Sequence, residues 1–143
     1  LEPASFNLEI TETTAVESAA LLEKNMARFR SMGCSFSMDD FGTGYSNLSK
    51  MAEVNYDLIK FDKSLIWPSF GADRNEKSAI ILANTVNMVG SLGAHIVAEG
   101  VETQEMADEL TRMGVHYLQG YYYSRPISED DYVEFLRAHS VTA

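Results

Sequence analysis

Five short apolar runs of strand length, separated by longer stretches of helical period, leave this chain few folds to choose from. Residues 6–10, 34–38, 57–61 and 95–98 read as four strands, and Tyr117-Leu118 opens a short fifth. Between them, residues 16–32 carry Leu21, Leu22, Met26 and Phe29 on one helical stripe that stops at Gly33. Residues 78–92 put Ile81, Leu82, Thr85, Val86 and Val89 on one face and end at Gly93. A helix over 103–113 has Thr103 as its N-cap and Gly114 as its stop, and 130–138 forms a closing helix. The least regular stretch, 67–74, reads as a surface loop. Strand–helix alternation of this kind predicts an α/β protein, a parallel sheet wrapped by crossover helices. Periodicity alone does not separate an open sheet from a closed barrel.

At 143 residues the chain is long enough for one domain with a real core. Its 21 acidic and 11 basic residues, a formal charge of −10, argue against a broad electrostatic grip on DNA or RNA, which needs clustered basic groups. A nucleotide ligand is still compatible, because bound divalent cations neutralise carboxylates and phosphates together. The single Cys34 excludes an intrachain disulfide and a cysteine-rich zinc site. There is no membrane-length apolar stretch and no targeting segment, so the expected compartment is the cytoplasm. The chain opens on Leu1 rather than Met and runs straight into a strand, so it is expected to be a piece of something longer, including the cytoplasmic part of a membrane-anchored protein.

The strand ends carry the chemistry. The first run ends in Glu9 with Glu12 beyond it, and the second in Asp39-Asp40. The third carries Lys60 and Asp62, the fourth ends in Glu99 with Glu102 close behind, and the fifth ends in Gln119-Gly120. Taken singly, each acid reads as a turn residue or the cap of the next helix. In a parallel α/β protein, however, all strand C-termini point to one side, where barrel active sites are built. Carboxylates crowded on one rim repel each other, and hard divalent cations, which prefer oxygen ligands, relieve that most directly. Without a histidine cluster or a cysteine pair, the donors favour magnesium or manganese over zinc. Asp39 and Asp40 cannot both serve from a regular strand, since neighbouring side chains point to opposite faces. A turn of the backbone, eased by Gly42 and Gly44, would bring both to one cluster. Gly42-Thr43-Gly44 itself lacks the spacing and the Lys-Ser/Thr ending of a phosphate loop. His95 and His116 read as structural, and Tyr121, Tyr122 and Tyr123 as core and rim packing more than as a platform for a base.

Five stretches resemble, in order, the signature motifs of the EAL domain: LEITE (8–12), DDFGTGYSNL (39–48), DLIKFDKSLI (57–66), VAEGVET (97–103) and LQGYYYSRP (118–126). The resemblance covers nearly the whole chain. It implies a variant (β/α)8 TIM-like barrel that hydrolyses the bacterial second messenger cyclic di-GMP to linear pGpG, using two magnesium or manganese ions. By motif position, Glu9, Asp39, Asp40 and Glu99 resemble the metal ligands, with Asp39 the bridge. Lys60 resembles the lysine that holds the attacking water or the scissile phosphate, and Gln119 a residue of the metal and water site. Catalytic work is thus expected from Lys60, Glu99 and Gln119. Glu12 and Glu102 resemble the acids that fix the DDFGTGYSNL loop, which in the family couples the active site to dimerisation. Asp62 is expected to support the ligands from behind.

The Glu-Ala-Leu motif that names the family, and a metal-binding Asn expected after it, do not occur in these residues. A barrel of this type needs ~250 residues, so the chain is expected to hold about five of the eight strands, the C-terminal part. The isolated chain is then expected to be inactive or nearly so. Open strand edges and an uncovered apolar interior predict a homodimer or higher oligomer, with exchange of elements as one route. The main alternative is a module that binds cyclic di-GMP or a partner protein without cleaving anything. A weaker one is another magnesium-dependent barrel enzyme, such as an enolase-like acid-sugar lyase, which would need a Lys or His base opposite the ligands.

Overall fold

The computed structural model describes residues 2–11, 19–43, 51, 54–72 and 74–139. Its elements run β1 (Asn7–Thr11), α1 (Ala19–Arg30), β2 (Ser35–Phe41), β3 (Leu58–Phe61), α2 (Lys63–Ile66), α3 (Glu76–Ser91), β4 (His95–Ala98), α4 (Gln104–Met113), β5 (Tyr117–Leu118) and α5 (Glu129–His139). The strands are parallel and hydrogen-bonded in the order β1-β2-β3-β4-β5. A doubly wound sheet reverses its strand order at a switch point, whereas the wall of a barrel runs sequentially. Right-handed crossovers in a sequential order put every connecting helix on the same side. Among the described residues the arc does not close, and β1 and β5 each pair on one side only.

Side chains alternate along each strand, and the register carries that alternation across the sheet. Phe36, Met38, Ile59, Phe61, Ile96 and Ala98 form one buried apolar face. Helices cover it with Met26 from α1, Leu82, Val86 and Val89 from α3, and Met106, Ala107 and Leu110 from α4. Leu82, Val86 and Val89 are the buried stripe of α3. Ile81, expected on that stripe, sits about 100° around the helix from it and is 56% exposed.

The opposite, concave face carries Asn7, Glu9, Ser35, Ser37, Asp39 and Lys60, with Leu58 and Val97 as apolar members. It is therefore largely polar, unlike the apolar interior expected of half a barrel. Its lower part is tied together: Asn7 Nδ2 donates to Ser35 Oγ at 2.9 Å, and Ser37 Oγ donates to Asn7 Oδ1 at 2.6 Å. Polar groups paired in this way remain satisfied on a face that meets water.

Local signals set the helix ends. Asn75 caps α3 by accepting from Lys77 N at 2.9 Å, and Thr103 caps α4 by accepting from Met106 N at 3.2 Å. Gly114 ends α4 with φ of 99°, a left-handed turn that suits glycine. The stretch from Trp67 is less loop-like than expected. The turn of α2 buries Ile66, and a short 3-10 turn, Trp67–Ser69, buries Ser69. Among the described residues no helix is long and apolar enough to cross a membrane.

Candidate active site

The strand C-termini gather the expected residues on one rim. Hydrogen bonding extends past the strand ends and fixes the backbone there: Asp62 N donates to Phe41 O at 3.1 Å, Glu99 N to Phe61 O at 3.0 Å, and Gln119 N to Ala98 O at 2.9 Å. Glu9 from β1, Asp39 from β2 and Glu99 beyond β4 each bring one oxygen to Lys60 Nζ, at 3.0, 2.9 and 3.0 Å. Burial alone would push the Lys60 ammonium towards neutrality. Its attraction to the Asp39, Glu99 and Glu9 carboxylates outweighs that and holds its pKa well above the ordinary lysine value. Lys60 is therefore a permanent cation at physiological pH.

A β-bulge delivers Asp39 to this centre. Met38 pairs with Ile59 and Phe41 with Phe61, so Asp39 and Asp40 together oppose Lys60. The extra residue returns Phe41 to the apolar face, where it stacks on Phe61 with ring centroids 5.4 Å apart. Asp40 absorbs the change with a left-handed backbone, φ 58°, which Asp tolerates better than most residues. The turn expected at the Asp pair thus occurs, but it parts the two carboxylates. Asp39 points into the cluster, while Asp40 is exposed and, among the described residues, makes no ion pair with Lys60.

Gln119 and Glu99 line a groove of about 340 Å³, together with Asp62, Lys63, Trp67, Glu102 and Tyr121. The groove depends on Gly120, because a Cβ there would lie 2.1 Å from Val101 O. Asp62 is the N-cap of α2, its Oδ1 accepting from Ser64 N at 2.8 Å. Partial burial raises its carboxyl pKa, but the hydrogen bonds from Ser64 and Lys63 win and hold it below the ordinary value. Glu102 is exposed beside the groove. Glu12, and residues 44–48 of the DDFGTGYSNL loop that Glu12 and Glu102 were expected to hold, lie outside the described residues.

The groove residue Trp67, and Arg125 beside the groove residue Tyr121, escaped the sequence reading. Trp67 Nε1 donates to Gly100 O at 2.8 Å, with Lys63 Nζ 5.1 Å above its ring. Arg125 lies 4.7 Å over the Tyr121 ring. The one tryptophan of the sequence is the signal that marks the first. Tyr121, Tyr122 and Tyr123 are exposed rather than packed in the core. His116 accepts from Ile96 N at 3.1 Å and lies 4.6 Å from the His95 ring, a structural arrangement.

Three carboxylates around one ammonium leave an excess of two negative charges. Asp39 Oδ1 is shut off from water, and Lys60 meets it at ion-pair distance without the angles of a full hydrogen bond. Hard oxygen donors with unspent charge fit magnesium- or manganese-type ions. Among the described residues, no three acidic, histidine or cysteine side chains stand at the spacing of a finished ion site, and the Lys60 ammonium lies between Glu9, Asp39 and Glu99.

Comparison with known proteins shows which family the chain resembles. The chain is 34% identical over 135 residues to the cyclic di-GMP phosphodiesterase RocR of Pseudomonas aeruginosa, covering 94% of this chain and 34% of RocR. The cyclic di-GMP complex of the P. aeruginosa MucR phosphodiesterase superposes with a TM-score of 0.81 at 35% identity, over 92% of this chain and 52% of that one. BlrP1 of Klebsiella pneumoniae, solved with manganese and cyclic di-GMP, gives a TM-score of 0.77 at 34% identity, over 88% of this chain and 31% of that one. The chain thus spans only about a third to a half of these relatives. With residues 1–126 matching the EAL domain and its strands superposing on solved EAL structures, the chain belongs to the EAL domain family.

Proposed function

We propose that this chain is the C-terminal part of an EAL-type (β/α)8 barrel whose complete domain hydrolyses cyclic di-GMP to linear pGpG with two magnesium or manganese ions. The observation that carries this reading is the convergence of Glu9, Asp39 and Glu99 on Lys60 at the strand-end rim. RocR's activity and the manganese and cyclic di-GMP in BlrP1 support it. Bound here, divalent ions would acidify a water and steady the charge on the phosphoryl oxygens. Glu9, Asp39 and Glu99 would hold them, joined by Asp40 once its exposed carboxylate turns to the rim. The Lys60 ammonium donates to an anionic phosphoryl oxygen, where charge builds in the transition state. Gln119 orients water or phosphate from the groove. Glu12 and Glu102 hold the neighbouring loop, and Asp62 keeps α2 against the rim.

The test is reconstitution with the upstream strands. The completed domain should form pGpG in a manganese- or magnesium-dependent way, lose that activity in Glu99→Gln, and be inactive as the 143-residue chain alone. Turnover by the isolated chain would overturn the last point. A second reading, binding of cyclic di-GMP without cleavage, draws support from the Asp40 carboxylate, which stands exposed and apart from the cluster of Glu9, Asp39 and Glu99. Cyclic di-GMP binding by the completed domain with no turnover at saturating metal would favour it.

The edges of β1 and β5, which pair on one side only among the described residues, and the exposed Tyr132 and Val133 of α5 speak for a homodimer or higher oligomer. Light scattering that reports a stable monomer would count against this. The cytoplasm, or the cytoplasmic part of a larger protein, is the proposed location.

A further inference from the structure

We infer that Lys60 is a place-holding cation: without a divalent ion its ammonium gathers the carboxylates of Glu9, Asp39 and Glu99, and loading of the ion displaces it. The inference rests on the metal-site reading proposed above and concerns how that site is filled. Three observations carry it. The ammonium lies 2.9 to 3.0 Å from one oxygen of each carboxylate, so it occupies the point on which all three converge. A hard dication centred among the same three oxygens would take the place of the ammonium itself, and the two cations cannot occupy that point together. Second, the Lys60 side chain is only 14% exposed, and Asp39 Oδ1 is cut off from water with this ammonium beside it. Emptying that position with nothing in return would strand a buried charge, so the lysine keeps the unloaded cluster assembled. Third, one positive charge does not balance three negative ones. The lysine therefore holds the cluster without satisfying it, and a dication replaces it at a gain.

A purely structural cation behaves differently, as Arg30 does with Asp57, one charge against one. Displacement also gives Lys60 its second task. Released from the carboxylates, the ammonium becomes a free donor at the rim where an anionic phosphoryl oxygen would arrive, so ion loading and phosphate capture are coupled through one side chain.

Calorimetric titration of Mn2+ into the domain completed with its upstream strands tests this, comparing wild type with Lys60→Met and Lys60→Arg. Without its competitor, Lys60→Met should bind Mn2+ about tenfold tighter or more, melt at a lower temperature before metal is added, and gain more from Mn2+ than wild type does. Lys60→Arg keeps the cation and should bind no tighter than wild type. Equal or weaker Mn2+ binding by Lys60→Met overturns the inference, as does equal tightening by Lys60→Arg. Asp39→Asn separates this failure from failure of the site. If wild type binds Mn2+ and Asp39→Asn does not, the metal site stands whatever Lys60 does. If no variant of the completed domain binds Mn2+, or Asp39→Asn binds it unchanged, the metal reading falls and the inference with it. Should Lys60→Met fail to fold, Lys60→Gln, which replaces the ammonium with a neutral amide, takes its place in the same comparison.

Discussion

Two clusters of charge stand at opposite ends of β3, and they are built differently. At the N-terminal end, Arg30 from α1 meets Asp57 at 3.3 Å. Asp57 also accepts from Phe36 N at 2.8 Å, while Arg30 donates to Asn55 O and lies 5.4 Å over the Phe36 ring. The charges there balance, and the contacts tie α1, β2 and the approach to β3 together. At the C-terminal end, one ammonium faces three carboxylates. The first cluster is complete in itself, while the second holds an excess of negative charge that a further cation would relieve. In barrels the N-terminal face serves stability and the C-terminal face serves chemistry, and charge balance distinguishes the two ends here.

Asp39→Asn should sharpen that contrast most. In the completed domain it should lower metal-dependent cyclic di-GMP turnover by more than about a hundredfold. The metal-free chain should meanwhile melt no lower, since one excess charge is gone. A large loss of metal-free stability would make the rim a structural cluster after all.

Gly120→Ala comes next, because its Cβ would lie 2.1 Å from Val101 O. The backbone at the rim must shift, at a cost of about 3 kcal/mol in urea unfolding. A cost well below that would mean the strand end moves freely.

Asp57→Ala should cost about 1–2 kcal/mol, mostly from the unpaired Phe36 N–H. The half-exposed ion pair itself contributes little. Mn2+ binding should not change, and if it weakens, the two clusters are not independent.

The smallest effect is expected at Asp62, where loss of the α2 cap in Asp62→Ala costs about 1 kcal/mol. Its folded pKa lies below the ordinary 3.8, so its contribution is present above that value and is lost as pH falls through the folded one. Melting at about pH 7 and about pH 3 should therefore show wild type losing more stability on acidification than Asp62→Ala does. Equal losses would remove Asp62 as a source of acid sensitivity.

Much of the fold was legible in the sequence because its signals are local. The strand-length run at 95–98 was read with the bounds it has in the structure, the fifth strand was read from Tyr117 on but one or two residues too long, and the ends of α4 followed from Thr103 and Gly114. The short α2 was not read, because four residues carry too little period to stand out; its mark was the cap Asp62. Ile81 was placed on the buried stripe of α3 because apolar character alone does not fix which way a helix rolls; packing against the sheet does. Acids at the strand ends were legible as a set, yet their division was not. Asp39 and Asp40 are identical in chemistry and adjacent in sequence, and only a bulge against β3 sends one inward and the other out.

By itself, then, the sequence determined an alternating α/β chain with acidic residues and one lysine at the strand ends. Periodicity, caps and turn residues act over a few positions and need no partner. Tertiary structure alone decided the sequential strand order, the polar concave face and the meeting of Glu9, Asp39 and Glu99 on Lys60. Those depend on register and burial between segments far apart in the chain, where Coulomb attraction acts only after the strands have been brought side by side.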